Sequence, residues 1–260
     1  MPVEIKAWFR ERSRALDQCV VATLIIAAGA GSWDDLFARA LWLPTTLLAL
    51  IAFRLMDDLA SVESDRAKKP VPVHATLTNL APLRHALGVL ALLTLLSTLV
   101  FRDWLVSGAL GLILISYHIG YTVFPERSWS AHRHSVVHLK YPALVLVLAL
   151  PMSRGDVAGA LGIFAIFGLF ELVDDPKFYR DSTRVVYASG YGTMIALAVL
   201  LRMDVDGGDK GLHEALIAAV VAVAFGIGVR GQKGVGRTLK YLPFAVGLLS
   251  LLISGNRVPG

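Results

Sequence analysis

Long apolar runs alternate with short charged connections along this chain, and that alternation leaves few folds open. A helix needs about 20 mostly apolar residues to cross a hydrocarbon core. Nine stretches come close to that length, at roughly 15–32, 37–57, 82–101, 104–124, 136–152, 156–173, 185–202, 212–229 and 239–255. Backbone polar groups in lipid must be satisfied inside the segment, so the expected class is all-α: a polytopic membrane protein with nine transmembrane helices. Internal Gly and Pro, such as Gly108 and Pro44, are tolerated in such helices. The first run is too long for a signal-peptide core and lacks a small-residue cleavage site, so it is expected to be a span. Only 17% of residues are charged, against about 25% in an ordinary soluble domain. This excludes a disordered chain, a coiled coil and a collagen-like fibre, and argues against a soluble enzyme. A single membrane-embedded domain over 1–260 is expected. Cys19 is the one cysteine, so there is no intramolecular disulfide and no cysteine-based metal site.

Lys and Arg set the orientation. With the N-terminus cytoplasmic, 19 of the 25 fall on the inner side of the nine-span layout. The outer side keeps Arg39, Arg102, Arg154, Arg202, Lys210 and Arg257. The N-terminus is therefore placed inside and the C-terminus outside, in a bacterial inner (plasma) membrane. A net charge of +5 raises the question of nucleic acid. Its position between apolar runs assigns it to the lipid bilayer instead, and no nucleic-acid partner is expected. Trp33, Trp104 and Trp129 fall at interfaces, as aromatic belts do. The inner connections at 58–81, 125–135, 174–184 and 230–238 are the longer, charged ones. Elaborated loops carry function, so the working face is expected to be cytoplasmic.

Two acidic clusters end even-numbered helices on that face. Helix 2 runs out through Arg54, Asp57, Asp58, Ser61, Glu63, Asp65 and Arg66, and helix 6 through Glu171, Asp174, Asp175 and Pro176. Asp57, Ser61 and Asp65 step by four and so share a helix face, as do Glu171 and Asp175. Pro176 discourages helix beyond Asp175. Like charges so stacked repel, and burying them is costly without a cation. Facing clusters of this kind can hold Mg²⁺, which takes oxygen ligands and bridges to phosphates. A plain alternative is solvated helix ends neutralised by Arg54, Arg66 and neighbouring lysines. Two clusters at one depth favour the metal.

The run Asp57-Asp58-x-x-Ser61-x-x-x-Asp65-Arg66-x-x-Lys69-Pro70 resembles the first motif of the UbiA superfamily of intramembrane prenyltransferases, N-D-x-x-D-x-x-x-D followed by a basic residue and Pro. Glu171-x-x-x-Asp175 is similar to that family's second motif, D-x-x-x-D. The family's nine helices, with motifs after helices 2 and 6, match the whole layout. Ser61 departs from the pattern as a neutral, weaker ligand, Asp57 replaces Asn, and Lys69 replaces Arg without its planar fork.

The resemblance implies transfer of an isoprenyl group from a prenyl diphosphate to a lipophilic, perhaps aromatic, acceptor. Mg²⁺ would lie between Asp57, Asp58, Asp65, Glu171 and Asp175, neutralising charge on the departing diphosphate. Arg66, Lys68, Lys69, Lys140 and Arg180 are the cations available for phosphate, Lys69 by motif position. Tyr117 and Tyr121, and the stripe Phe164, Phe167 and Phe170, would line a water-poor cavity for the tail. Two other readings stay open: a terpene cyclase on the same scaffold, and a non-catalytic isoprenoid-binding membrane protein, which Ser61 favours. Segment 66–81 is expected to cap the cavity. His132, His134 and His138 include an i,i+4 pair suited to a transition metal or a lipid-facing cationic loop. The glycine-rich run from Gly231 to Gly236 lacks a phosphate-loop pattern. Neither acceptor identity nor oligomeric state is legible.

Overall fold

The computed structural model describes residues 2–12, 15–29, 33–67, 71–123, 137–174, 181–202 and 208–228. Among these residues the chain is helical, with no strand. The helices are α1 (Val3–Arg12), α2 (Ala15–Gly29), α3 (Trp33–Arg39), α4 (Leu43–Ala60), α5 (Val62–Asp65), α6 (Val73–Thr76), α7 (Ala81–Phe101), α8 (Trp104–Val123), α9 (Lys140–Leu148), α10 (Arg154–Asp174), α11 (Asp181–Arg202) and α12 (Gly208–Gly228). Five segments are long and apolar enough to cross a membrane: Leu36–Ala60, Ala81–Phe101, Trp104–Thr122, Arg154–Leu172 and Arg184–Arg202. Shorter apolar stretches occupy Gln18–Ala28 in α2 and Ala215–Ala224 in α12. The expected span at 239–255 lies outside the described residues.

The expected span at 136–152 is a shorter element. Its described core is the nine-residue helix Lys140–Leu148, which at about 1.5 Å per residue is roughly 14 Å long. A hydrocarbon core is about 30 Å thick. The cause is local: the chain turns at Ala149, and Pro151 beyond it cannot continue a helix.

The chain divides into two compact units, Met1–Thr23 with Leu41–Arg133, and Leu24–Ala40 with His134–Gly260. The first is built on α4, α7 and α8. Pro44 and Pro82 sit in the first turns of α4 and α7, where a missing N–H costs nothing. Arg102 and Asp103 alone separate α7 from α8, and Asp103 Oδ1 accepts from Val106 N at 2.9 Å to cap the second helix. Small polar side chains join these helices. Thr45 and Ser97 share a hydrogen bond of 2.5 Å between α4 and α7, and Ser107 Oγ donates to Leu95 O at 3.1 Å between α8 and α7. Hydroxyls serve as such glue where the hydrophobic effect between helices is weak. Away from these seams α7 presents Val89, Leu92, Leu96 and Val100 to the outside, the surface a lipid-facing helix requires.

In the second unit α9 packs on α10, α10 on α11, and α11 on α12. Glycines permit close approach: a Cβ on Gly168 of α10 would lie 2.2 Å from Cζ of Tyr191 on α11. Gly192 meets Val223 and Ala219 of α12 in the same way. Ser153 and Asp156 form a reciprocal cap at the start of α10: Ser153 N donates to Asp156 Oδ2 at 2.8 Å, and Asp156 N to Ser153 Oγ at 3.2 Å. Arg39 pairs with Asp156 Oδ1 at 2.9 Å. Arg202 Nη2 donates to Ala28 O at 2.7 Å, supplying a cation and a donor to the last turn of α2.

Candidate functional site

Helix α4 runs three residues beyond the expected end at 57, and the chain bends at Ser61 before the short helix α5. Ser61 N donates to Asp57 O at 3.0 Å and Asp65 N to Ser61 O at 2.8 Å. These two i→i+4 bonds flank the bend and keep Asp57, Ser61 and Asp65 one turn apart in succession.

Asp57, Asp58 and Asp65 each have a protein donor. Asp57 accepts from the hydroxyl of Tyr121 through Oδ1. Asp58 is buried, and its Oδ2 accepts from Trp8 Nε1 of α1 at 2.8 Å. Its Oδ1 lies 3.5 Å from Arg54 Nη2, one turn back on α4. Asp65 is 1% exposed. Its Oδ2 takes the Ser61 hydroxyl at 2.9 Å and His74 Nε2 at 2.9 Å. A carboxylate can only accept, so the His74 ring carries its proton on Nε2. His74 is fully buried and its Nδ1 has no hydrogen-bond partner.

The connection after α5 is fastened by the same groups. His74 holds α6 to Asp65, Arg66 Nε donates to Ala75 O at 3.1 Å, and Val73 N donates to Glu11 Oε2 at 2.7 Å. Segment 71–76, within the expected cap of 66–81, is thus bound to the first unit at three points. Arg66, expected to reach phosphate, spends its Nε on that attachment. Tyr117 and Tyr121 do come together, with ring centroids 6.2 Å apart, and Phe53 packs edge-on to Tyr117 at 5.3 Å.

The second unit holds Glu171 and Lys140. Glu171 Oε2 lies 3.8 Å from His138 Nε2. From His138 an aromatic ladder leads inward: Tyr141 at 5.9 Å, then Phe167 stacked on Tyr141 at 4.1 Å, then Phe170 edge-on at 6.1 Å. Lys140 is buried, with Nζ 5.4 Å from the Tyr141 ring centroid. Lys69, Asp175 and Arg180 lie outside the described residues, as do His132 and His134.

The first cluster therefore comprises Asp57, Asp58, Ser61, Asp65, Arg66, Tyr117 and Tyr121, and the second Glu171 and Lys140. Sequence reasoning named Arg54 as a cation for the acids but missed Trp8 and His74 as their partners, and His138 as the partner of Glu171. A buried Trp needs an acceptor for its N–H, and Trp8 in a charged N-terminal helix carried that signal.

Mg²⁺ needs several oxygens converging on one void. Asp58 has an oxygen on each of two donors, and one oxygen of Asp65 serves two more. Among the described residues no three of His, Cys, Asp and Glu are grouped to hold a metal ion. As arranged, the described acids do not fit the ion expected from the motif. No protein-family model, no curated protein and no solved structure matches this chain.

Proposed function

We propose that the chain is a divergent relative of the UbiA prenyltransferases: a nine-span, single-domain membrane protein with its N-terminus inside and its C-terminus outside, which handles a prenyl diphosphate. The observation that carries this reading is the succession Asp57–Ser61–Asp65, one turn apart across the α4–α5 bend, with Asp58 beside it and Tyr121 bonded to its first member. Acids kept together at a membrane-edge helix end are expensive, and a cationic ligand chemistry explains their retention. The aromatic ladder Tyr141–Phe167–Phe170 beside Glu171 supports the same reading, since aromatic faces suit an isoprenyl chain and a cationic centre on it. On this reading the protein transfers the isoprenyl group to a lipophilic acceptor.

One set of contacts favours the non-catalytic alternative. Asp58 and Asp65 are buried on protein donors, as in a scaffold that kept the fold and binds the isoprenoid without cleaving it. Farnesyl or geranylgeranyl diphosphate binding and turnover, measured in nanodiscs with and without Mg²⁺, separates the two. An enzyme binds in a Mg²⁺-dependent way and releases diphosphate, and Asp57→Ala abolishes both. A binding protein retains the ligand without release. No binding under any condition defeats both readings. Reporter fusions after Gly260 and within 66–80 test the topology, which requires them on opposite sides.

A further inference from the structure

The first unit contains an open groove of about 1400 Å³ between α4–α5, α7 and α8. Leu59, Glu63 and Ala67 line it, together with Ala60, Ser64 and Tyr121. Tyr121 donates to Asp57, so the groove borders the acid row.

Its polarity is graded along its length. Helices α7 and α8 are joined by two residues and run antiparallel, so Arg84, near the start of α7, and His118, near the end of α8, share the end remote from that connection. Leu87 and Gly88 continue the wall inward from Arg84, and Leu114 does so from His118. The step from Arg84 to Ala91 is roughly 10 Å of helix at 1.5 Å per residue. Three ionisable side chains thus stand at the mouth, Glu63, Arg84 and His118, above an apolar floor. All three are exposed, and none has a side-chain hydrogen bond or ion pair. Glu63 and Arg84 line one groove yet do not pair with each other.

We propose that this groove is a lipid site for a phospholipid whose headgroup carries both a phosphate and a primary ammonium, the phosphatidylethanolamine type. The phosphate meets Arg84 and His118, the ammonium donates to Glu63, and one chain lies along Leu87, Gly88 and Leu114. Charge complementarity selects this occupant. A lipid with only negative charge leaves Glu63 opposed, and a choline headgroup has no N–H to donate to a carboxylate. A prenyl diphosphate brings further negative charge to Glu63 and nothing to satisfy it. Ionisable side chains at the edge of the hydrocarbon are costly unless a partner or water receives them, and a zwitterionic headgroup supplies both signs at the right depth. The groove shares Tyr121 with the acid row, and the lipid assignment rests on Glu63, Arg84 and His118 alone.

Gly88 gives a clean probe. A Cβ there meets nothing within 4 Å, so Gly88→Leu starts a side chain into the groove from open space, and leucine is the better helix former. The full-length protein is delipidated in detergent and titrated with phosphatidylethanolamine, phosphatidylcholine and phosphatidylglycerol, and retained lipid is counted by native mass spectrometry. The parent is expected to hold phosphatidylethanolamine about tenfold more tightly than the other two, the scale of one charge-assisted hydrogen bond. Glu63→Gln is expected to erase that preference while lipid still binds. Gly88→Leu is expected to cut retention at least tenfold with an unchanged thermal unfolding curve. Equal binding of all three lipids by the parent overturns the headgroup assignment, as does an unchanged preference in Glu63→Gln. Undiminished retention in Gly88→Leu moves the lipid elsewhere. Displacement of the lipid by stoichiometric farnesyl diphosphate makes the groove a substrate cavity and ends the proposal. Should Gly88→Leu unfold, the Glu63→Gln result alone decides, because that exposed substitution leaves the core intact.

Discussion

Removing the His74 ring should destabilise the first unit far more than an ordinary loop substitution. His74 lies in a four-residue helical turn, yet it is fully buried and its Nε2 is 2.9 Å from Oδ2 of an Asp65 that is 1% exposed. In His74→Ala the carboxylate loses the imidazole donor while the Ser61 hydroxyl remains on that oxygen. A hydrogen bond to a charged group is worth about 1.5–3 kcal/mol, and breaking a buried pair by deleting one partner costs roughly 3–5 kcal/mol. The lower figure applies if His74 is neutral and the higher if it is charged, so a loss of about 2–5 kcal/mol is expected. The assay is reversible unfolding in mixed micelles by added denaturing detergent, for the parent, His74→Ala, Asp65→Asn and the double variant. If the contact is real, the second substitution costs little once the first is made, and the coupling lies between about 0.5 and 3 kcal/mol. Coupling below about 0.5 kcal/mol, the scatter of independent sites, would show that Asp65 and His74 do not meet.

Three further outcomes follow from the same reasoning. Trp8→Phe keeps an aromatic ring but removes the donor to buried Asp58; it should cost about 1–3 kcal/mol in the same unfolding assay, and a change within scatter would place Asp58 elsewhere. Gly168→Ala drives a methyl to 2.2 Å from the Tyr191 ring, and should lose about 1–3 kcal/mol through overpacking despite alanine's better helix propensity; adding Tyr191→Leu should restore part of it, and no loss would mean α10 and α11 pack differently. Asp156→Ala removes an ion-pair partner of Arg39 and strips the start of α10 of its cap, so limited proteolysis near residue 153 should accelerate severalfold, whereas an unchanged rate would deny the cap its role.

What could be read from the sequence is what depends on neighbours along the chain. The α7–α8 hairpin appears where expected, because the polar pair Arg102–Asp103 interrupts two apolar runs. The acid row survives because its four-residue spacing is a property of any helix. What stayed illegible depends on distant partners. Trp8 reaches Asp58 across 50 positions, and Tyr121 reaches Asp57 across 64. No periodicity announces such pairs. Pro151 beyond the helix at 140–148 stops it from continuing, an effect on backbone hydrogen bonds that summed hydropathy does not weigh.

The partners of the acids also decide how the two functional readings differ. A carboxylate that ligates a metal must first surrender its protein donors. Asp65 would give up two bonds, to Ser61 and His74, each worth about 1.5–3 kcal/mol when one partner is charged. Together that subtracts roughly 3–6 kcal/mol from any cation site built on Asp65, about two to four decades of affinity. Ser61 is thus more than a missing ligand, since its hydroxyl competes for an oxygen that an aspartate at 61 would leave free. The substitution His74→Ala then pulls in opposite directions. It weakens the fold in either reading, but if the protein is an enzyme it also releases Asp65 and lowers the Mg²⁺ concentration needed to bind prenyl diphosphate. If the acids serve only to clamp α6 to α5, ligand binding falls with stability and no Mg²⁺ dependence emerges. Titrating Mg²⁺ against prenyl diphosphate binding in His74→Ala, at a temperature where the variant is still folded, reads the sign directly.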